Sequence, residues 1–282
     1  MDSREKALVR RIRLITGRKI DTLFSGEYHS AFRGTGLSFD SVREYQSGDD
    51  VRTIDWNVSS RLNHLYVRQY IEERELSIVI AIDVSASTLF GSSRSKADAI
   101  ADVAALFLYL AERNRDSVSV LLFSERVERF IRPARGRRVM LRVLDEILNL
   151  KPEGRRTDMT VALDFMGRVL KKRSVVFLLS DFMDAGDYSL RLKILGRRHD
   201  IIPVMVYDPL EKISPVSGLC EYRDLETGKV YVSDGHPLPG NISPLNGFDS
   251  IVINTGESVV KPVLSFFEKR NRSRLVRRQG RI

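Results

Sequence analysis

The sequence has few of the residues that cross-link or anchor a small protein. Its 282 residues include one cysteine, Cys220, which excludes an internal disulfide framework, and four histidines without the spacing of a zinc site. The longest apolar run extends only from Val103 to Ala111, well short of the roughly 18 residues that a membrane helix needs. The first twenty residues hold seven Lys or Arg residues, which leave no apolar region of the kind found in secretory signals. We therefore expect a cytoplasmic protein with no membrane span and no zinc.

The positive charge is concentrated at one end of the chain. The formal net charge is +9, but seven basic residues and no acid follow Glu268, so the rest of the chain is almost neutral. A solvated helix end explains such a segment, because Lys and Arg there complement the helix dipole. Contact with RNA, phospholipid or an acidic partner is the alternative, and nucleic-acid binding would be recognised by a steep salt dependence.

The middle of the chain predicts an α/β fold. Between Leu76 and Tyr207, short β-branched runs alternate with segments of helical period, which is typical of βαβ units on a parallel sheet. The run 76–82 is apolar without alternation and predicts a central strand that is buried on both faces. The link between strands at 117–123 and 127–131 is too short for a crossover, so this pair is predicted to be antiparallel. The expected architecture is a doubly wound, mostly parallel sheet with one antiparallel edge strand.

Three regions are predicted along the chain. Residues 1–75 form a small N-terminal attachment with a basic helix at 5–15 and two strands. Residues 76–270 form the sheet domain, which closes with a helix at 259–269. Residues 271–282 form the basic tail.

A set of oxygen donors follows the predicted strands. Asp83, Ser85 and Ser87 alternate after the central strand, Thr157 precedes a helix, and Asp181 follows the strand at 175–179. Taken singly, each has an ordinary explanation as a strand end or a helix cap. Ligands bind at the carboxyl edge of open α/β sheets, however, and all five can meet there. Hydroxyls with few carboxylates form a hard oxygen shell suited to Mg²⁺, and Mn²⁺ is a possible substitute.

This pattern resembles the metal-ion-dependent adhesion site of von Willebrand factor type A domains, which reads D-x-S-x-S, then a Thr, then an Asp after a later strand. On that resemblance Asp83, Ser85, Ser87, Thr157 and Asp181 form a metal site, with the threonine and second aspartate joining directly or through water. The resemblance also implies that a partner protein often supplies a carboxylate as the last ligand. The sequence departs from many relatives at 155–156, where two arginines stand just before the threonine and steer what approaches the ion.

A second resemblance covers the whole chain. The segment 48–56, Gly-Asp-Asp-Val-Arg-Thr-Ile-Asp-Trp, is similar to the hallmark of the bacterial "domain of unknown function 58" family. Further matches are Ser60-Arg61, Leu65-Tyr-Val-Arg68, Gly228 after Glu226-Thr227, and the pair Phe266-Phe267. The resemblance implies a von Willebrand-like domain and a role as adaptor or substrate-recruiting partner of a MoxR-type AAA+ ATPase.

The hallmark segment itself has two interpretations. Its acidic and basic residues can form an ion-paired network that locks a tight turn. Alternatively it is a partner-binding surface, since aromatic and Arg residues are frequent hot spots. The candidate partner-binding residues are Trp56, Arg61, Arg52 and Asp55.

Three functions are compatible with these features. The first is a non-catalytic, Mg²⁺-dependent protein-binding module that works with a MoxR-type AAA+ ATPase and possibly a client protein. The second is a Mg²⁺-dependent phosphohydrolase in which Asp83 is the nucleophile. A second Asp two residues later is missing, however, where the chain has Ser85, and no lysine stands in an evident position to hold phosphate. The third, nucleic-acid binding through the basic tail, is less expected because the body of the chain is nearly neutral.

Overall fold

The computed structural model describes residues 26–28, 30–32, 37–72, 76–184, 186–211, 220–233 and 245–279. They belong to two compact units, of which the smaller is Phe32–Leu76 and the larger holds the residues before and after it. The predicted helix at 5–15 lies outside the described residues. Within the described part of the chain, no helix is long and apolar enough to cross a membrane.

The smaller unit is a two-stranded antiparallel sheet with one short helix. Strand β1 (Leu37–Glu44) pairs with β2 (Tyr66–Glu72), and helix α1 (Trp56–Leu62) lies between them in sequence. Asp55 starts the helix, because its carboxylate accepts hydrogen bonds from the backbone N–H groups of the first turn.

The larger unit is built on a six-stranded sheet and carries a separate two-stranded hairpin. The sheet strands are β3 (Ser77–Asp83), β4 (Ser117–Phe123), β5 (Val127–Ala134), β6 (Val175–Ser180), β7 (Asp200–Tyr207) and β10 (Ile251–Asn254), and the hairpin strands are β8 (Cys220–Arg223) and β9 (Val230–Ser233). The strand order is β10-β7-β6-β3-β4-β5, and every pairing is parallel except β4 with β5. The predicted mostly parallel sheet with an antiparallel edge is therefore confirmed.

Five of the helices described in the larger unit flank this sheet, and alternate residues of the central strands contribute to opposite faces. They are α2 (Lys96–Asn114), α3 (Arg137–Asn149), α4 (Met159–Val169), α5 (Ser189–Arg198) and α6 (Val260–Gln279). One face buries Val79 and Ala81 of β3 against α4 and α5. On the other face Phe107 of α2 stacks on Phe177 of β6, with ring centroids 3.8 Å apart. The continuous apolar run of the central strand is explained by burial on both faces.

The C-terminal helix differs from the predicted one. It continues to Gln279, so the segment predicted as a tail from residue 271 is helical for most of its length. The helix is held in place at residues 270 and 271, because Arg270 forms an ion pair with Asp200 and the side-chain amide of Asn271 donates to Glu27. The helix continues through the basic residues because no Gly or Pro stands between Phe267 and Gln279 to stop it.

The division into units also differs from the predicted one at its N-terminal side. Residues 26–31 belong to the larger unit, whereas the prediction assigned all of residues 1–75 to the attachment. Tyr28 explains this placement: its hydroxyl donates to Asp116 over 2.9 Å, and its ring meets that of Phe267 edge-on.

Pro203 lies in β7, one strand in from the β10 edge, although proline within sheets is usually confined to edge strands and bulges. Pairing of β7 with β10 begins only at Val204, directly after the residue that lacks an N–H donor.

Candidate functional site

Three hydroxyl groups meet at the carboxyl edge of the sheet. Ser85 and Ser87 follow strand β3, and Thr157 lies in the loop before α4. The Oγ atoms of the two serines are 3.0 Å apart, and Thr157 Oγ1 is 2.8 Å from Ser85 Oγ. We call these three side chains the hydroxyl ring. The loops that carry them are joined by a bond from the Ala86 N–H to the Arg155 carbonyl, 2.9 Å long.

These hydroxyls are not used as helix caps. Helix α4 is capped by the side chain of Asp158, and α2 by that of Ser95, whereas Ser85 makes no side-chain capping bond to the short helix that follows it. The ordinary explanation for Ser87 and Thr157 therefore does not account for their positions.

Asp83 lies beneath the ring and is almost fully buried, with 1% of its surface exposed. Its Oδ1 accepts the Ser85 N–H over 2.9 Å, and its Oδ2 accepts the Ser180 hydroxyl over 2.7 Å. Burial, and then the nearby charge of Asp181, raise the pKa of Asp83 to about 7, although hydrogen bonds from the Ser180 hydroxyl and from the side chain and N–H of Ser85 oppose the shift.

Asp181 reaches the same edge but is bound by a lysine that sequence reasoning missed. Lys96, at the start of α2, donates to Asp181 Oδ2 over 2.6 Å and to Glu211 Oε1 over 2.5 Å. The ammonium group is buried, yet the two carboxylates outweigh this desolvation and raise the pKa of Lys96. The other oxygen of Asp181 accepts the Met183 N–H, so this carboxylate is engaged on both sides.

The residue after Asp181 adopts an unusual backbone conformation. Phe182 is fully buried with φ at +55°, in the left-handed region that residues other than glycine rarely adopt. Such strain persists where the surrounding packing enforces it, and it is common at functional sites.

Glu226 is a second missed residue, and it comes from the tip of the β8–β9 hairpin. Its Oε1 accepts the Thr157 hydroxyl over 2.8 Å, and it also bonds to Ser87. Burial raises the pKa of Glu226, although the bonds from Thr157 oppose the shift. In the sequence, Glu226 is marked only by its position two residues before Gly228, and that glycine was noted as part of the family resemblance rather than as part of a site.

Two oxygen–oxygen distances in the hydroxyl ring are those of ordinary hydrogen bonds and are also compatible with neighbouring ligands of Mg²⁺. Octahedral Mg²⁺ with bonds of 2.0–2.1 Å places adjacent oxygens about 3.0 Å apart, which matches the observed 3.0 and 2.8 Å. Among the described residues, no group of three or more His, Cys, Asp or Glu side chains is placed to hold a metal. The residues that could hold a hard cation such as Mg²⁺ here are the three hydroxyls, with the carboxylate of Asp83 close to Ser85.

The hallmark segment in the smaller unit is partly structural. Asp55 bonds to Arg68 over 2.9 Å as well as capping α1, and Asp49 forms two hydrogen bonds to the Arg43 guanidinium. The other three candidate partner-binding residues, Trp56, Arg52 and Arg61, are exposed, and 66% of the Trp56 surface is accessible. Asp55 thus shapes the turn, and the remaining three present an open surface.

Solved structures with similar folds were found. A conserved hypothetical protein, BatB, from Bacteroides thetaiotaomicron superposes with a TM-score of 0.50 at 15% identity. An aerotolerance-related membrane protein from Bacteroides fragilis, carrying multiple mutations to serine, superposes with a TM-score of 0.51 at 14% identity. Each comparison covers 70% of this chain and 99% of the other. At this level of sequence identity the similarity supports a shared fold only.

Sequence comparison identifies closer relatives. Uncharacterized proteins of Mycobacterium bovis and Mycobacterium tuberculosis are 30% identical over 232 residues, which is 81% of this chain and 73% of theirs. The model of the protein family of unknown function DUF58 matches residues 41–236, and this range includes both the hallmark segment and every residue of the candidate site. The chain therefore belongs to the DUF58 family.

Proposed function

We propose that this protein is a non-catalytic, Mg²⁺-dependent protein-binding module that acts as adaptor or partner of a MoxR-type AAA+ ATPase. The proposal is carried by the hydroxyl ring, because three hydroxyl oxygens lie at the spacing of adjacent Mg²⁺ ligands above a buried carboxylate. The likeness to the adhesion site of von Willebrand factor type A domains, and the family's implied link to MoxR-type ATPases, give the proposal its partner.

The residues that would hold the ion are those of the hydroxyl ring. Asp83 orients the ring through its bond to the Ser85 N–H and contributes charge from below. Asp181 acts at longer range, since Lys96 already occupies one of its oxygens. Bound Mg²⁺ supplies positive charge and positions that a partner carboxylate can fill.

Exposed apolar side chains beside the ring favour a protein as the ligand. Leu89 and Phe90 follow Ser87 within three residues and are 66% and 38% exposed, and Met183 lies two residues after Asp181 and is 38% exposed. Large exposed apolar side chains next to a polar centre are a feature of protein interaction surfaces.

The environment of Asp83 argues against the phosphohydrolase alternative. A nucleophilic carboxylate must reach its substrate, but Asp83 is 1% exposed and both of its oxygens accept hydrogen bonds. Lys96 provides the lysine that the sequence did not reveal, but its ammonium group binds two carboxylates rather than facing an anion site.

The test is a calorimetric titration of the purified protein with Mg²⁺, followed by co-purification with the MoxR-type ATPase of the same organism. Ser85→Ala and Asp83→Asn should abolish Mg²⁺ binding, and Ser60→Ala, which removes an exposed hydroxyl in the smaller unit, should not. Complex formation should require Mg²⁺ and be lost in EDTA. Equal recovery of the complex in EDTA would refute metal dependence. The surface around Trp56 would then be the next candidate for the partner-binding site.

A further inference from the structure

The hairpin tip that carries Glu226 is attached to the loop of the hydroxyl ring at several points. Besides the bond between Glu226 Oε1 and the Thr157 hydroxyl, Glu226 Oε2 faces the Thr157 N–H at 3.4 Å. The guanidinium of Arg155 donates to the Leu225 carbonyl over 3.1 Å. Arg155, the first of the two arginines before Thr157, therefore helps to hold the hairpin at the site.

The tip is also organised internally, so Glu226 does not reach the ring by chance. Asp224 accepts the Glu226 N–H over 2.8 Å and the Thr227 hydroxyl over 2.7 Å. Gly228 has φ of +71°, which a side chain would disfavour, and its N–H returns to the Asp224 carbonyl over 2.8 Å. The backbone on both sides of Glu226 is thus set before any ligand arrives, which lowers the entropy cost of presenting its carboxylate.

The contacts of Glu226 are those of a ligand rather than of a surface acid. It is half-buried, and its oxygen lies 2.8 Å from a ring hydroxyl, the same distance that separates two members of the ring. Burial, and then the charge of Asp181, raise the pKa of Glu226, and a cation held between these two carboxylates would relieve their repulsion. The Lys96 ammonium group forms ion pairs with Asp181 and Glu211, so it does not neutralise the charge of Glu226.

We propose that Glu226 is the chain's own carboxylate ligand for the cation of the hydroxyl ring. It then occupies the place that an acidic residue of a partner would take, and a partner must displace the hairpin tip to bind the ion. This inference rests on the proposed function, since it needs the cation site to exist.

The experiment uses the full chain and Mn²⁺ alone as the probe. Mn²⁺ prefers the same oxygen ligands as Mg²⁺, and water proton relaxation reports how many waters it retains. Glu226→Gln keeps the size and a hydrogen-bond acceptor but removes the charge, and Glu226→Asp keeps the charge but shortens the side chain. Glu221→Gln makes the same change at an exposed position of strand β8 and is the matched control.

We expect both Glu226 variants to bind Mn²⁺ at least 10-fold more weakly, since even outer-shell partners of metal ligands contribute 10- to 100-fold. The Mn²⁺ that they do bind should carry one more water than in the wild type. Added acetate, a small carboxylate, should displace that water in the Glu226 variants at concentrations that leave the wild type and Glu221→Gln unchanged.

The outcomes separate this inference from the proposed function. If the wild type binds no Mn²⁺, the cation site is refuted and both proposals fall. If the wild type binds Mn²⁺, Asp83→Asn abolishes binding, and both Glu226 variants match the wild type in affinity and water count, only the role of Glu226 is refuted. If Glu226→Asp alone keeps full affinity, the carboxylate acts through its charge and not as a ligand, which also overturns the inference.

Discussion

Asp83→Asn should increase the stability of the protein when no divalent cation is present. Burial and Asp181 raise the pKa of Asp83 from 3.8 to about 7 in the folded state. The native state therefore binds more protons than the unfolded state between these values, so stability falls as the pH rises through this window. At about 1.36 kcal/mol per pKa unit, the ionised carboxylate destabilises the fold by about 4 kcal/mol above pH 7. Asparagine carries no such charge.

The hydrogen bonds of Asp83 can survive this substitution. The amide oxygen can accept the Ser85 N–H as before. The amide nitrogen can donate to Ser180 Oγ, because a hydroxyl accepts as well as donates. The stability gain is therefore set by the lost charge and not offset by an unpaired polar atom.

The assay is urea unfolding in EDTA, followed by far-UV circular dichroism from pH 4 to 8. The difference in the free energy of unfolding between Asp83→Asn and the wild type should increase by about 1.4 kcal/mol per pH unit up to pH 7 and then level off. Trp56 fluorescence is unsuitable as the probe, since this residue reports on the smaller unit.

Asp208→Asn provides a control of opposite sign. Asp208 is fully buried at the same sheet edge, but hydrogen bonds from Thr255, Ser92 and Leu210 outweigh the effect of burial and lower its pKa. Its ionised form therefore stabilises the fold. Asp208→Asn should be less stable than the wild type by a nearly constant amount from pH 4 to 8, because the pKa of Asp208 is 3.8 in the unfolded state and lower in the folded state.

Mg²⁺ should narrow the stability difference between the wild type and Asp83→Asn. At a concentration of 100 times its dissociation constant, it should stabilise the wild type by about 2.7 kcal/mol and leave Asp83→Asn nearly unchanged, so the advantage of Asp83→Asn above pH 7 should fall from about 4 to about 1 kcal/mol. An Asp83→Asn protein that is less stable than the wild type in EDTA at pH 8, with a difference that does not vary with pH, would refute this reasoning.

Three further outcomes are expected. Gly154→Ala should weaken Mg²⁺ binding in calorimetry, because a Cβ there would lie 2.1 Å from Ser124 Oγ and displace the loop that carries the ring threonine; unchanged affinity would contradict this. Tyr188→Phe should leave stability unchanged or raise it by about 1 kcal/mol in urea unfolding, because the buried hydroxyl has no hydrogen-bond partner among the described residues; a clear loss would indicate a missing partner. Truncation after Asn271 should change the melting temperature little, whereas truncation after Lys269 should lower it, since only the longer deletion removes the contacts with Asp200 and Glu27. Equal melting temperatures of the two truncated proteins would show that these contacts contribute nothing.

The order of the elements and the class of the fold could be predicted from local patterns. An apolar run without alternation, as at residues 77–82, is stable only as a strand covered on both faces, so it indicates the centre of a parallel sheet. The three-residue link after β4 cannot span a crossover and therefore required an antiparallel pair. The donors of the hydroxyl ring were predictable for a related reason: the carboxyl ends of neighbouring parallel strands meet at one edge.

Contacts between distant segments were decided only by the tertiary structure. Lys96 binds a carboxylate 85 residues away, and Glu226 meets a hydroxyl 69 residues away. Neither residue has a local signature, since a lysine at the start of a helix and a glutamate in a hairpin turn are ordinarily exposed to solvent. Local periodicity determines which face of an element is apolar, and so it specifies the sheet and its core. The charges that face one another across the edge of that sheet depend instead on how separate loops pack, which no short stretch of sequence encodes.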